Sequence, residues 1–168
     1  GRPSAQRSQY HGRTVIQIVG ESYFTLLEAV PYRNARFTPG ERIHVGKKGR
    51  TKVEHIMGRI TYDDLTSGAK AELPIAIESI IKANEMRFID FFNNSQPLTP
   101  RMHAMELIPG IGKRLMWQII EQRDRVPFDS YEDIQKRVSL TDPIKLLSRR
   151  IMQEISEEEK YHLFARPD

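Results

Sequence analysis

The chain changes its hydrophobic period once. Up to Asp64 the apolar residues come in short β-branched or aromatic runs punctuated by Gly, Pro and Asn, and beyond it they recur at helical spacing. Val15-Ile16-Gln17-Ile18-Val19 ends at Gly20, and the run over 23–30 stops at Pro31. Glu41-Arg42-Ile43-His44-Val45 lies between Pro39-Gly40 and Gly46, and a fourth run begins at Val53 and reaches Tyr62 with an expected bulge at Gly58. The pattern predicts a small antiparallel sheet or barrel. So few strands need closure or a covering helix to complete a core. Residues 1–12 are polar, carry no period and read as a tail or linker.

Residues 65–72 predict a short helix ended by Pro74. Ile77, Ile80, Ile81, Phe88, Phe91 and Phe92 then share one arc of a helix over about 75–93, a stripe expected to face a core. Asn84 falls on that arc and is expected as a hydrogen-bonded boundary residue. Residues 93–97 form the natural joint between two halves. A further helix is expected from Thr99, with Pro100 at its first position. Pro109 and Gly110 stop it, and another begins near Lys113. Ser130 is expected to cap a helix with Asp133 as the acid of a capping box. Asp142 and Pro143 start the last one, with Ile144, Leu147, Ile151 and Ile155 as its apolar stripe. The fold expected is α+β: a tail (1–12), a β domain (13–64), connecting helices (65–96) and a helical domain (97–168).

The stretch with the most specific chemistry is Met105-Glu106-Leu107-Ile108-Pro109-Gly110-Ile111-Gly112-Lys113-Arg114-Leu115. Gly110 and Gly112 are expected to permit positive φ and to leave no side chain in the way of a ligand. The free N–H groups and dipole of the following helix favour an anion. Lys113 and Arg114 add positive charge at the same end. These residue types suit a grip on phosphate through the backbone, without base reading.

Leu107-Ile108-Pro109-Gly110-Ile111-Gly112-Lys113 followed by an apolar helix resembles the helix-hairpin-helix motif of DNA repair, recombination and replication proteins. The segment Arg123, Pro127-Phe128, Ser130 and Asp133-Ile134 extends the resemblance toward a second hairpin. The resemblance implies sequence-independent phosphate contacts from Gly110, Ile111, Gly112, Lys113 and Arg114. Some hairpins of this kind hold a monovalent cation through their carbonyls, which leaves a cation open here; no other cofactor is expected. The second hairpin, Val138-Ser139-Leu140-Thr141-Asp142-Pro143, has no Gly, and Asp142 would repel phosphate. It reads as a structural pseudo-hairpin, with Arg149 and Arg150 as auxiliary cations. In its order of motifs the whole chain resembles an uncharacterised archaeal family, described as a small OB-like β-barrel followed by an all-α helix-hairpin-helix domain. That family is presumed to bind nucleic acid and sits among translation and rRNA-modification genes, so the resemblance keeps RNA beside DNA as partner.

Composition sharpens this picture. The 168 residues contain no Cys, which excludes disulfides, thiolate zinc sites and cysteine nucleophiles. No apolar run approaches the ~18–20 residues of a membrane span, and no signal-peptide pattern opens the chain, so a cytoplasmic protein without a membrane partner is expected. The chain starts at Gly1 rather than Met, which leaves room for residues ahead of it. The net charge of +4 is uneven: residues 1–70 hold 12 Lys and Arg against 6 Asp and Glu, and the remainder 14 against 16. The basic β half therefore offers a second polyanion surface. Lys47, Lys48, Arg50 and Lys52 concentrate on one loop, and Arg33 and Arg36 flank Tyr32 and Phe37. Among Tyr23, Phe24, Tyr32, Phe37 and Tyr62, Tyr23 is the better stacking surface and Phe24 the better core residue.

No catalytic motif is present. The five His lack helix or hairpin metal spacing, and no phosphate loop or nucleophile elbow occurs. A glycosylase or nuclease reading would place a catalytic acid near Asp129, but the chain is short for the two-domain cleft of such enzymes and their Asp-x-His pattern is absent around it. The expectation is a non-catalytic, sequence-nonspecific nucleic-acid binder. The alternative is a protein–protein adaptor with Trp117, Met116 and Met105 as anchors. Trp117 lies at the edge of an apolar arc and is expected to pack against the barrel.

Overall fold

The computed structural model describes residues 2–10, 13–46, 48 and 52–167. The chain forms two compact units, one of residues 1–77 with 153–168 and the other of residues 78–152. These do not coincide with the modules drawn from sequence, because the C-terminal segment returns to the β unit. No helix among the described residues is long and apolar enough to cross a membrane.

The first unit holds a four-stranded antiparallel meander, β1 (Arg2–Tyr10), β2 (Arg13–Val19), β3 (Leu26–Pro31) and β4 (Val53–Arg59), in that spatial order. β1 corrects the expected tail: as an edge strand it needs a partner on one side only, and it tolerates Pro3. The expected barrel is also corrected. Among the described residues the sheet is open, with no closure of β1 on β4. The run over 41–45 does not pair. Its alternation is met by burying Ile43, with Val45 and Phe37, against Ile16, Ile18, Ala29 and Val53, so a loop covers that face. The bulge falls where expected: Glu28 pairs Gly58 and Ala29 pairs Ile56, leaving Met57 extra.

Residues 15–19 of β2 are buried on both faces, which explains a run that is apolar but for one position. Gln17, the polar exception, donates to Glu28 Oε2 (3.1 Å) and Asp64 O (3.0 Å) and accepts Thr66 N–H (3.0 Å). It thereby fixes the entry to α1 (Ser67–Ala83), whose Ala69 N–H is capped by Thr66 Oγ1. α1 runs through Pro74 rather than ending before it. The helix breaks instead at Asn84, whose side chain donates back to Ile80 O (2.8 Å), and α2 (Glu85–Asn94) follows. At the other end of the chain the buried Glu154 carboxylate accepts the N–H groups of Leu163, Phe164 and Ala165 at 2.9–3.0 Å. Arg166 then donates its N–H to Tyr23 O, and its guanidinium covers the Tyr23 ring at 4.5 Å.

In the second unit, α2 is followed by a two-stranded hairpin, β5 (Pro97–Thr99) and β6 (Met102–His103), and a 3-10 turn, Ala104–Leu107. This replaces the helix expected from Thr99, because Thr99 Oγ1 accepts Arg101 N–H and closes a strand turn instead. α3 (Lys113–Arg125), α4 (Tyr131–Arg137) and α5 (Pro143–Ser156) start where expected. Ser130 Oγ caps Asp133 N–H, the Asp133 carboxylate takes Asp129 N–H, and Asp142 Oδ1 caps Lys145 N–H. The helix ends are closed by half-buried guanidinium groups. Arg123 donates to Phe92 O and Ser95 O at the end of α2, and Arg137 donates to Gln122 O (2.7 Å) and Val126 O (2.6 Å) at the end of α3. Tyr131 Oη donates to Ile81 O (2.6 Å), and burial pushes this phenol far above its ordinary range.

Candidate functional site

Residues 108–111 form a tight turn closed by Ile111 N–H to Ile108 O at 3.0 Å. Gly110 sits at its third position with φ +96°, which a residue following Pro in this turn requires. Ile108 and Ile111 are buried and anchor the turn. Ile111 therefore spends both its side chain and its amide inside the protein, and it drops out of the expected phosphate contacts.

Gly112 differs from expectation in another way. Its φ of −89° and ψ of −175° are extended backbone that any residue adopts. A Cβ there would meet nothing within 4 Å. It is the N-cap of α3 and offers no side chain to cap it. The first helical bond is Met116 N–H to Gly112 O (3.0 Å), so the amides of Lys113, Arg114 and Leu115 precede the ladder. Gly110, Gly112, Lys113 and Arg114 are exposed.

The two cations at this corner behave differently. Lys113 Nζ lies 3.2 Å from Glu106 Oε2 and 3.2 Å from Arg101 O, so it is drawn back across the start of the turn. Arg114 has no hydrogen-bond or ion-pair partner among the described residues. The Glu106 carboxylate also accepts His103 N–H (3.0 Å), and that bond, helped by Lys113, holds it below the usual carboxylate range. His103 Nδ1 accepts Met105 N–H (3.1 Å), which places the proton of the neutral ring on Nε2. Burial, then the Arg123 guanidinium, hold this imidazole below its ordinary pKa.

α5 supports the corner from behind. Leu146 packs at Gly110, and Arg150, buried to 3% exposure, donates to Leu107 O (3.4 Å). Arg150 is thus a brace rather than an auxiliary cation, while Arg149 is exposed.

The basic residues expected to contact a polyanion in the β unit lie between β3 and β4 in the chain. Arg33, Arg36 and Lys48 are exposed. Lys47 and Arg50 lie outside the described residues. Lys52 is committed: its Nζ donates to Glu41 Oε2 (2.6 Å) and Arg36 O (2.8 Å) and sits over the Phe37 ring at 5.2 Å. Tyr23 is 53% exposed, but Arg166 covers one ring face, and Phe24 is buried as expected.

Sequence reasoning misplaced Trp117. It is 62% exposed rather than packed. The legible signal was angular: α3 buries Met116 and Ile119, and the position after Met116 turns about 100° away from that face. Met105 and Met116, the other expected anchors, are both buried. Trp117 borders an open cleft of 160 Å³ lined also by Pro97, Arg101, Met102, Lys113 and Met116.

The fold recurs in a solved structure. A crystal structure of Af1531 from Archaeoglobus fulgidus superposes with a TM-score of 0.89 at 40% identity, covering 98% of both chains. The uncharacterised protein MJ0038 of Methanocaldococcus jannaschii is 38% identical over 154 residues, 90% of this chain and 70% of that protein. Residues 1–166 match the model of a family described as a protein of unknown function, DUF655, and the chain belongs to that family.

Proposed function

We propose that this chain binds nucleic acid without regard to sequence, by holding the phosphate backbone against the corner formed by Gly110, Gly112, Lys113 and Arg114. The observation that carries the reading is the opening of α3: an exposed, uncapped helix start whose N-cap has no Cβ, beside the Arg114 guanidinium, which has no partner among the described residues. Such an end attracts anions, and backbone amides with Arg or Lys contact phosphate without reading bases. The net charge of +6 over residues 1–70, with Arg33, Arg36 and Lys48 exposed, adds long-range attraction. On this reading residues 104–125 act as a helix-hairpin-helix element whose first helix is reduced to one 3-10 turn. The open sheet takes an OB-like accessory role. No covalent step is involved.

The test is a filter-binding panel of single- and double-stranded DNA and RNA at low salt, with Gly112→Asp as the control. Retention at about micromolar protein, lost in the variant, is expected. No retention of any polymer, or equal retention by Gly112→Asp, contradicts the reading. The adaptor alternative keeps one observation in its favour, the exposed Trp117.

A further inference from the structure

We propose that the cleft between the β5–β6 hairpin and α3 takes one unpaired nucleobase, stacked on Trp117, so that the protein prefers single-stranded over duplex nucleic acid. The inference rests on the phosphate grip proposed above and names the form of polymer that grip serves. Trp117 follows Lys113 by four residues, so its backbone lies ~6 Å further along α3 on a neighbouring line of the helix surface, and both residues line the cleft. A base attached to a phosphate at the corner is thereby offered the ring one turn away.

Three further observations favour a base as the occupant. Among the described residues the indole has no ring, cation or hydrogen-bond partner, whereas Tyr23 and Tyr62 each carry a cation over the ring, Arg166 at 4.5 Å and Lys70 at 5.0 Å. Trp117 is therefore a bare aromatic face. The cleft, at 160 Å³, falls below the ~300 Å³ at which drug-sized pockets begin and suits a single planar ring system. Its rim carries Arg101 and Lys113, and Glu106, the one acid lining it, is already paired with Lys113 at 3.2 Å. A polyanion with flat apolar rings matches a bare indole beside a rim of net positive charge. In a duplex the bases are stacked on one another and do not present a free face to it.

Trp117 is the only Trp in the chain, so its fluorescence reports the stack directly. The experiment titrates the full chain with a single-stranded homopolymer, its duplex, and an abasic strand of equal length, following both indole fluorescence and the anisotropy of an end-labelled strand. The single strand is expected to bind and quench, and the duplex and abasic strand to bind without quenching. Trp117→Ala is expected to lose about fivefold or more in affinity for the single strand and little for the abasic strand, with Trp117→Phe recovering most of the loss. Binding of the single strand without quenching, or with equal affinity in Trp117→Ala, overturns the inference and leaves the ring to a protein partner. Failure of all three strands to bind, the abasic one included, instead overturns the phosphate grip and the inference with it.

Discussion

Leu146 lies directly behind Gly110: a Cβ on that glycine would stand 2.9 Å from Leu146 Cδ2. The turn is thus held by α5 as well as by its own hydrogen bond, and at Gly110 two constraints coincide, the contact and a φ of +96°. Gly110→Ala is expected to destabilise the protein by about 1–3 kcal/mol. Adding Leu146→Ala removes the contact but not the backbone strain, so the double variant stays below Leu146→Ala alone. Urea unfolding of the three variants checks this.

Gly112 carries the opposite expectation. Its backbone suits any residue, and its Cβ direction is open. Gly112→Asp places a capping carboxylate at the start of α3. It is expected to leave stability unchanged or raise it by a few tenths of a kcal/mol. The same charge repels phosphate, so binding is lost while the melting temperature holds or rises. A variant that binds normally separates the corner from any polyanion.

Arg137 closes the end of α3 with two carbonyl bonds, pairs with Asp133 at 3.0 Å and lies over the Phe128 ring at 4.5 Å. Arg137→Met keeps the packing and removes the donors. The expected loss is about 1.5–3 kcal/mol in denaturant unfolding, with polymer affinity unchanged in the folded fraction. A loss of affinity at full folding would move this residue into the interface.

His103 sets a pH dependence. Its pKa is lowered in the folded state, so the unfolded chain takes the proton more readily. The stability tied to the neutral ring is in place above the unfolded value of ~6.5 and is lost as pH falls below it toward the folded value. Glu106, also lowered, adds a loss in the same direction at more acidic pH. His103→Asn retains an acceptor for Met105 N–H without a titrating ring. The unfolding midpoint of this variant is expected to fall less than that of the wild type between pH 7 and pH 5. Equal slopes would place the titration elsewhere.

What could be read from the chain divides by range. Caps and short turns were legible because they depend on neighbours in sequence: Ser130, Asp142 and the Pro109-Gly110 turn all stand where their residue types put them. The bulge at Gly58 was legible for the same reason. Partners distant in sequence were not. Residues 2–10 pair as β1 only because β2 offers an edge, and 41–45 stays unpaired because its apolar side chains find a core without a ladder. Pro74 did not end α1, since tertiary packing around Leu73, Ile77 and Ile80 outweighs the one lost hydrogen bond. At the site, the hairpin residues were visible in sequence, but their occupancy was not. Glu106 claims Lys113, Leu107 O claims Arg150 and Glu41 claims Lys52, leaving Arg114 and bare amides.

The central claim is that a helix start and its adjoining charge hold a phosphate backbone, and the salt dependence of binding tests it most directly. Affinity for a generic single-stranded polymer is measured across a series of monovalent salt concentrations. The account predicts a linear fall of log affinity with log salt, about tenfold or more between low and physiological ionic strength, and a shallower line for Arg114→Ala. A salt-independent affinity, or no binding at low salt, would contradict it.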